Sequence, residues 1–456
     1  MNIIPSWLAG KVVYPLHEKL MHRPTFSYLK ELEKSQFLSR EEIEALQFRK
    51  LKNLLTLAQQ HCPWHAKNIS SAGIELKSDA PLTLADLQQL PTMDKADAQK
   101  NQQQLAWMGV PGGAYKYNTG GSSGQPLIFY YGRWRQASDA AGRIRARSWF
   151  GVNVGDPEVY LWGAPVELNK TDTIKSIRDR LLNQLVLNAF EMSHENMARY
   201  SNAIETFNPK CIYGYASSIA LLAGYIQNRG KKVSIPRLRV VCTTGEPLYP
   251  QQRALIQEVF KVPVANEFGS RDIGFTAHES PQGQMLLMSE SIIMEVLDAN
   301  GQAVAPGESG EAVLTGLCSD AQPFIRYKTG DIVKLSDKPC QDGMGLHVID
   351  EVSGRSTDFV VHSDGTIMHA LAIIYILRAI DGLSEFKFIQ HTLDSVEVIY
   401  VPNQQWDDKS TLQITTELKK RLGDNIQVTM NRVEKIPAEA SGKHRYVISH
   451  VALPEQ

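Results

Sequence analysis

Cysteine is scarce and scattered: five residues in 456, at Cys62, Cys211, Cys242, Cys318 and Cys340, with no CxxC pair. An odd, dispersed set excludes a disulfide framework and reads as mostly buried structural thiols in a reducing cytosol. Long apolar runs are missing too. The longest, residues 219–226 and 370–377, reach eight residues each, far short of the ~18–20 that a membrane span requires. Residues 1–14 carry no Lys or Arg ahead of their apolar stretch, and Pro5 and Lys11 interrupt it. No export signal is read there, so the expected location is cytoplasmic. Neither sign of charge is in excess: 48 Lys+Arg face 49 Asp+Glu. A dedicated nucleic-acid binder displays a basic face, so that partner is excluded. There is no internal repeat and no low-complexity segment.

What remains is ordinary in composition, 43% hydrophobic and 21% charged, as in a folded globular protein. At ~150 residues per domain the length gives about three domain-equivalents. The stretch up to about residue 110 reads as a helical scaffold. Ser39-Arg40-Glu41-Glu42 has the capping-box form, and Ile43, Leu46, Leu51, Leu54, Leu55 and Ala58 follow at helical spacing. From about Ala114 the texture changes. Strand-like runs at 114–117 and 127–131 flank a loop at 118–126. A buried strand at 238–243, a helix opened by Pro250 and running to Phe260, and a strand at 262–268 predict parallel pairing in a layered α/β sheet.

Residues 285–335 are strand-rich and punctuated by Asp298-Ala299-Asn300-Gly301 and Pro306-Gly307-Glu308, which predicts a small β subdomain. A boundary near 354–358 precedes two helical stretches, near 369–380 and 409–422, and strands near 386–391, 395–401 and 426–433. The expected fold class is therefore α/β. Residues 1–357 form a large body of several subdomains, and residues 358–456 a small mobile α+β lid.

The most informative stretch is Thr119-Gly120-Gly121-Ser122-Ser123-Gly124-Gln125-Pro126. Its glycines let backbone amides converge on an anion, and its hydroxyls add uncharged donors, a composition suited to a polyphosphate. It is not a Walker A loop, because no Gly-Lys-Ser/Thr closes it. Nor is it a Rossmann fingerprint, since GxGxxG is absent and a strand follows. Gly120 to Gly124 satisfies GxSxG, which raises Ser122 as a hydrolase nucleophile, but that elbow must run from strand to helix. A plain surface turn is the bland alternative.

Five further motifs accompany the loop: Thr244-Gly245-Glu246-Pro247, Asn266-Glu267-Phe268-Gly269-Ser270-Arg271-Asp272, Tyr327-Lys328-Thr329-Gly330-Asp331, Gly354-Arg355-Ser356-Thr357-Asp358 and the stretch from Pro437 to Gly442-Lys443. In this order they resemble the signatures of the adenylate-forming superfamily, which joins acyl- and aryl-CoA ligases, adenylation domains and luciferases. Gly214-Tyr215-Ala216-Ser217-Ser218 and Pro323-Phe324-Ile325-Arg326-Tyr327 make the resemblance nearest to the phenylacetate–CoA ligase branch, especially members associated with capsular polysaccharide biosynthesis.

The resemblance implies roles. Thr119, Gly120, Gly121, Ser122, Ser123 and Gly124 hold phosphate. Gly245, Glu246, Pro247, Asn266, Glu267, Gly269 and Ser270 surround AMP, Phe268 stacks on adenine, and Asp331 takes the ribose hydroxyls. Arg355 and Asp358 match a hinge pair, with Arg355 also near the nucleotide. Lys443 stabilises charge on the α-phosphate and the attacking carboxylate. Asp272 stands where relatives often have Glu beside Mg²⁺. Arg271 replaces Thr or Ser near the phosphate and either binds it or pairs with a nearby carboxylate. Trp162, Tyr213, Tyr215 and Phe275 are candidate walls of the acyl pocket. Several relatives carry extra cysteines suggestive of zinc, but Ser280 and Asp342 stand here, leaving His278 and Cys340 without co-ligands. No structural zinc is expected.

The implied activity is a two-step ligation using ATP and Mg²⁺: a carboxylate forms an acyl-adenylate with release of pyrophosphate, then a thiol displaces AMP. Coenzyme A is the implied acceptor. An amine or carrier-protein acceptor, and a catalytically degenerate nucleotide-binding scaffold, stay open, as does homodimerisation.

Overall fold

The computed structural model describes residues 4–118, 127–163, 172–189, 192–230, 233–354, 359–364, 367–380, 382–436 and 447–451. The helical scaffold forms as the spacing predicts. Ser39 Oγ accepts from the Glu42 amide at 3.2 Å while the Glu42 carboxylate accepts from the Ser39 amide at 2.8 Å, the reciprocal cap of helix Arg40–His61. That helix buries Ile43, Leu51, Leu54, Leu55 and Ala58, but Gln47 takes the inward place expected for Leu46. The Gln47 amide donates to the carbonyls of Ser289 and Ile292 at 2.8 and 2.9 Å, tying the scaffold to the body.

One eleven-stranded sheet organises the body. Its parallel half runs Val264–Ser270, Val240–Thr244, Cys211–Tyr215, Glu158–Trp162 and Gln184–Asn188. Strand Gly274–Glu279 then pairs antiparallel with Val264–Ser270. Beyond it come Met285–Leu287, Val348–Gly354, Tyr327–Leu335, Ser309–Gly316 and Ile292–Leu297, all antiparallel. The β-rich stretch at 285–335 is therefore the antiparallel wing of the same sheet, not a separate layer. Its turns specify hairpins, but nothing local states which edge those hairpins join.

Side chains alternate across the sheet. Ile212, Val241 and Val264 face helices Ala216–Asn228 and Pro250–Phe260 in the largest apolar cluster. Tyr213 and Glu267 face helix Arg133–Ser148, whose arginines bond or stack on them. The small C-terminal domain has strand order Gln427–Arg432, Ser395–Pro402, Leu383–Thr392, Val447–Ser449, with helices Leu371–Arg378 and Asp408–Leu422. The largest cluster extends into it through Ile374, Leu377, Phe388 and Leu418.

Candidate active site

Three groups of expected site residues fall outside the described residues: 119–126, with Thr119, Gly120, Gly121, Ser122, Ser123 and Gly124; 355–358, with Arg355 and Asp358; and 437–446, with Lys443. The flanks of the glycine-rich stretch are described. Tyr115–Asn118 and Ile128–Tyr131 pair antiparallel, with Asn118 opposite Ile128. The loop thus joins two strands of a hairpin, whereas a nucleophile elbow at Ser122 needs strand followed by helix.

The described motif residues converge at the carboxyl ends of the parallel strands, the edge where open α/β sheets bind ligands. Thr244 and Glu267 are register partners on neighbouring strands. Gly245 follows at φ +77°, and a Cβ there would stand 3.1 Å from the Tyr215 ring, so both backbone and space require glycine. The Glu246 carboxylate accepts from the Ser217 amide at 2.5 Å, capping helix Ala216–Asn228. Asn266 Oδ1 accepts from the Thr243 hydroxyl at 3.0 Å, and the Asn266 amide donates to Glu279 at 2.7 Å. Phe268 is half-buried against the antiparallel-wing core. Gly269 has no room for a side chain, since a Cβ would meet the Gly274 carbonyl oxygen at 2.3 Å.

Two motifs distant in sequence meet here. The Tyr327 hydroxyl donates to Asp272 Oδ2 at 2.8 Å, while Asp272 Oδ1 accepts from the Ile273 amide at 3.2 Å. Ser270 Oγ accepts from that same amide at 3.2 Å. Arg271 is exposed. Gly330 turns at φ +76°, and the Asp331 amide donates to Thr329 Oγ1 at 3.2 Å, which orients the Asp331 loop.

Of the aromatics expected to wall a pocket, Trp162, Tyr213 and Tyr215 lie together, while Phe275 sits in a separate small cluster with Ala146 and Met288. Trp162 stacks on Tyr215 with centroids 4.4 Å apart and planes 8° from parallel, and lies 5.8 Å from Tyr213. Phe275 is buried beneath the Arg143 guanidinium, 5.2 Å from its ring. What sequence reading missed is the polarity between these aromatics. Glu267 Oε1 accepts from Arg143 at 3.3 Å, the Tyr213 hydroxyl at 3.1 Å and Thr244 Oγ1 at 3.2 Å. Its Oε2 is buried and has no hydrogen-bond partner among the described residues. Burial raises the Tyr213 phenol well above its ordinary value, and the Glu267 charge adds to that rise.

Helix Arg133–Ser148 supplies four such pairs: Arg135 with Asp139, Arg143 with Glu267, Arg145 with Glu290 and Arg147 with Glu158. Arg135 also donates to the Asp272 carbonyl at 3.2 Å, and Asp139 accepts from the Phe275 amide at 3.1 Å. A signal did exist: arginines interleaved with Ala137, Ala141, Gly142 and Ala146, small residues that let a helix approach a sheet closely.

Asp272 alone is a suitable partner for Mg²⁺, an ion that keeps several waters and takes one or two carboxylates beside substrate phosphates. Each Asp272 oxygen accepts one described hydrogen bond and keeps a lone pair. Among the described residues no group of three His, Cys, Asp or Glu side chains could hold a metal. His278 Nδ1 lies 2.8 Å from the Glu279 carbonyl, with its ring beside Cys242. Cys340 lies in a separate apolar cluster with Ile43 and Leu286.

The CapK C-terminal domain family matches residues 360–450. Protein CapK of Staphylococcus aureus is 25% identical over 378 residues, covering 82% of each chain. The phenylacetate–coenzyme A ligase of Thermus thermophilus is 24% identical over 454 residues, covering 90% of this chain and 97% of that protein. The crystal structure of 2-hydroxyisobutyryl-CoA ligase with 2-HIB-AMP and CoA, in the thioesterification state, overlays with a TM-score of 0.66 at 18% identity, covering 92% of both chains. In sequence the chain is similar to CapK and to phenylacetate–CoA ligases. The fold it shares with that CoA ligase structure is a mixed α/β body with a small C-terminal domain.

Proposed function

We propose that this protein is an AMP-forming acid–thiol ligase. A carboxylate attacks the α-phosphate of ATP, pyrophosphate leaves, and the acyl-adenylate passes its acyl group to a thiol with release of AMP. Coenzyme A is the acceptor that the ligase relatives support. The carrying observation is the convergence of Thr244–Pro247, Asn266–Asp272 and Tyr327–Asp331 at one sheet edge, sealed by the Tyr327–Asp272 hydrogen bond.

In this reading the hairpin loop at 119–126 wraps the phosphates with amides and hydroxyls. Phe268 offers its ring to adenine, and Asp331 accepts from the ribose hydroxyls. Asp272, oriented by Tyr327, holds Mg²⁺, which screens phosphate charge when bound. Lys443 meets the charge developing on the α-phosphate, a contribution of roughly 3–4 kcal/mol in comparable oxyanion sites. Arg355 and Asp358 form the hinge on which residues 358–456 move as a lid, and Trp162, Tyr213, Tyr215 and Phe275 enclose the acyl group. The Glu267 carboxylate and Tyr213 hydroxyl make that enclosure partly polar.

ATP–pyrophosphate exchange across a panel of aryl, fatty and hydroxy acids tests the first step, and AMP release on adding CoA tests the second. At least one acid should support exchange, and Lys443→Ala should reduce it by about a hundredfold or more. ATP binding with no turnover on any acid would instead identify a degenerate scaffold.

A further inference from the structure

Fourteen large apolar side chains stand exposed among the described residues. Five of them, Trp7, Val12, Leu16, Leu20 and Met21, lie between positions 7 and 21, with 63, 45, 54, 70 and 37% of their surface exposed. The first four stand on a single helical rod built from Ser6–Leu8, the π turn Ala9–Val13 and Tyr14–Leu20, and Met21 caps its end. The opposite side of that rod is fixed. Gly10 seats so tightly that a Cβ would stand 2.1 Å from the Val154 carbonyl oxygen. Asn183 Oδ1 accepts from the Ile4 amide at 3.1 Å, and its side-chain amide donates to the Ile4 carbonyl at 2.9 Å. The outward apolar stripe is therefore held in place. Its i→i+5 bonding draws Trp7 and Val12 toward one side, and Leu16 and Leu20 follow at four-residue steps.

The tie to Asn183 links the rod to the end of a second helix that carries exposed apolar side chains. Ile177 and Leu181 lie on helix Asp172–Leu181, which ends two residues before Asn183, and both are exposed. Among the described residues, several exposed charges near the stripe are basic. Lys11, Lys19, His22 and Arg180 are exposed, Arg23 is held by the buried Glu18, and Arg178 is neutralised by Asp179. Where the rod ends, a cleft of about 720 Å³ opens between Lys19, His22, Arg23 and Arg133, with Asp320 on its wall. An apolar stripe rimmed by cations and ending in a cationic cleft is the pattern of a helix lying in a bilayer interface.

We infer that this face, the rod Ser6–Leu20 with the end of helix Asp172–Leu181, docks the protein on an anionic lipid bilayer. The apolar side chains enter the headgroup boundary, and the cleft accepts a lipid phosphate. Charge complementarity disfavours a second copy of the chain, because an isologous contact would bring together two faces carrying the same basic rim.

The test is flotation of the full chain with phosphatidylglycerol-containing vesicles, alongside pure phosphatidylcholine vesicles and free inorganic phosphate. The protein should float with the anionic vesicles, much less with the neutral ones, and should detach as salt rises. Lys11→Gln and Lys19→Gln should each weaken partitioning about fivefold, and Leu16→Glu with Leu20→Glu should abolish it, while ATP–pyrophosphate exchange without vesicles is unchanged. Phosphate that binds the cleft, with no flotation, would overturn the lipid assignment. So would equal flotation with neutral vesicles. A concentration-dependent dimer that Leu16→Glu dissociates, with no flotation, would assign the face to self-association and overturn the proposal.

Discussion

Among the described residues, Arg145 and Arg421 are completely buried, and they are buried differently. Arg145, inside the body, grips Glu290 with both nitrogens at 2.5 and 3.2 Å, and Ser35 Oγ steadies that carboxylate at 2.8 Å. Arg421, in the last turn of helix Asp408–Leu422, crosses from the C-terminal domain into the body. It donates to the Ala189 carbonyl at 2.7 Å and to the hydroxyls of Ser217 and Ser218 at 3.3 Å. Burial lowers its guanidinium to about 10, against the pull of Glu246. A charge gripped by a buried carboxylate fixes its surroundings, because separating the pair strands an ion out of water. The bonds of Arg421 to a carbonyl and hydroxyls join two domains instead of sealing one core. That is the kind of contact a domain can make and release, and it ends beside Glu246 of the Thr244–Pro247 motif.

Substitution should expose that difference. Arg145→Met leaves Glu290 buried and unpaired, so urea unfolding should show a loss of about 3–5 kcal/mol. A loss below about 1 kcal/mol would remove the distinction. The seam between scaffold and antiparallel wing should respond to pH instead. Burial lowers His65 to about 4, opposed only by its contact with the Pro323 carbonyl at 2.9 Å. The native state therefore keeps His65 neutral while the unfolded chain takes up a proton below about 6.5. Stability from this group is complete above that pH and falls as pH drops toward 4, by roughly 3 kcal/mol at the acid end. His65→Asn should flatten that part of a denaturation-versus-pH curve.

Arg421→Met should cost less, about 1–2 kcal/mol. It should also raise hydrogen exchange in helix Asp408–Leu422 while leaving helix Arg133–Ser148 protected. Equal deprotection of both helices would mean that Arg421 is as structural as Arg145. The smallest effect is expected for Glu267→Gln, which keeps the acceptor for Tyr213 and Thr244 but removes the charge facing Arg143. Stability should change by about 1 kcal/mol, with a shift in which acid gives the best kcat/KM in the exchange assay.

Much of the architecture was legible. Ser39 and Glu42 marked a helix start that formed as written, and Pro250 to Phe260 is the helix its first-turn proline announced. The strands read at 238–243 and 262–268 formed one or two residues later, at Val240–Thr244 and Val264–Ser270, and pair in parallel. Short C-terminal elements, the pair Phe359–Val361 with Ile367–His369 and the strand Val447–Ser449, went unread because three residues carry no measurable alternation. In the site, Asp272 was singled out without the Tyr327 hydroxyl that orients it, and Tyr213 and Glu267 were assigned to different roles although they share a hydrogen bond.

The sequence alone determined the order of the motifs, the helix caps and the alternation that turns Tyr213 and Glu267 away from Ile212 and Val264. These depend on neighbours a few residues apart, where spacing translates directly into direction. Only the tertiary structure decided which charges meet. Arg145 finds Glu290 across 145 positions, Tyr213 finds Glu267 across 54 and Arg421 reaches Ala189 across 232. Such pairings depend on the path of the whole chain, and an isolated arginine in a helix does not specify which distant carboxylate will neutralise it.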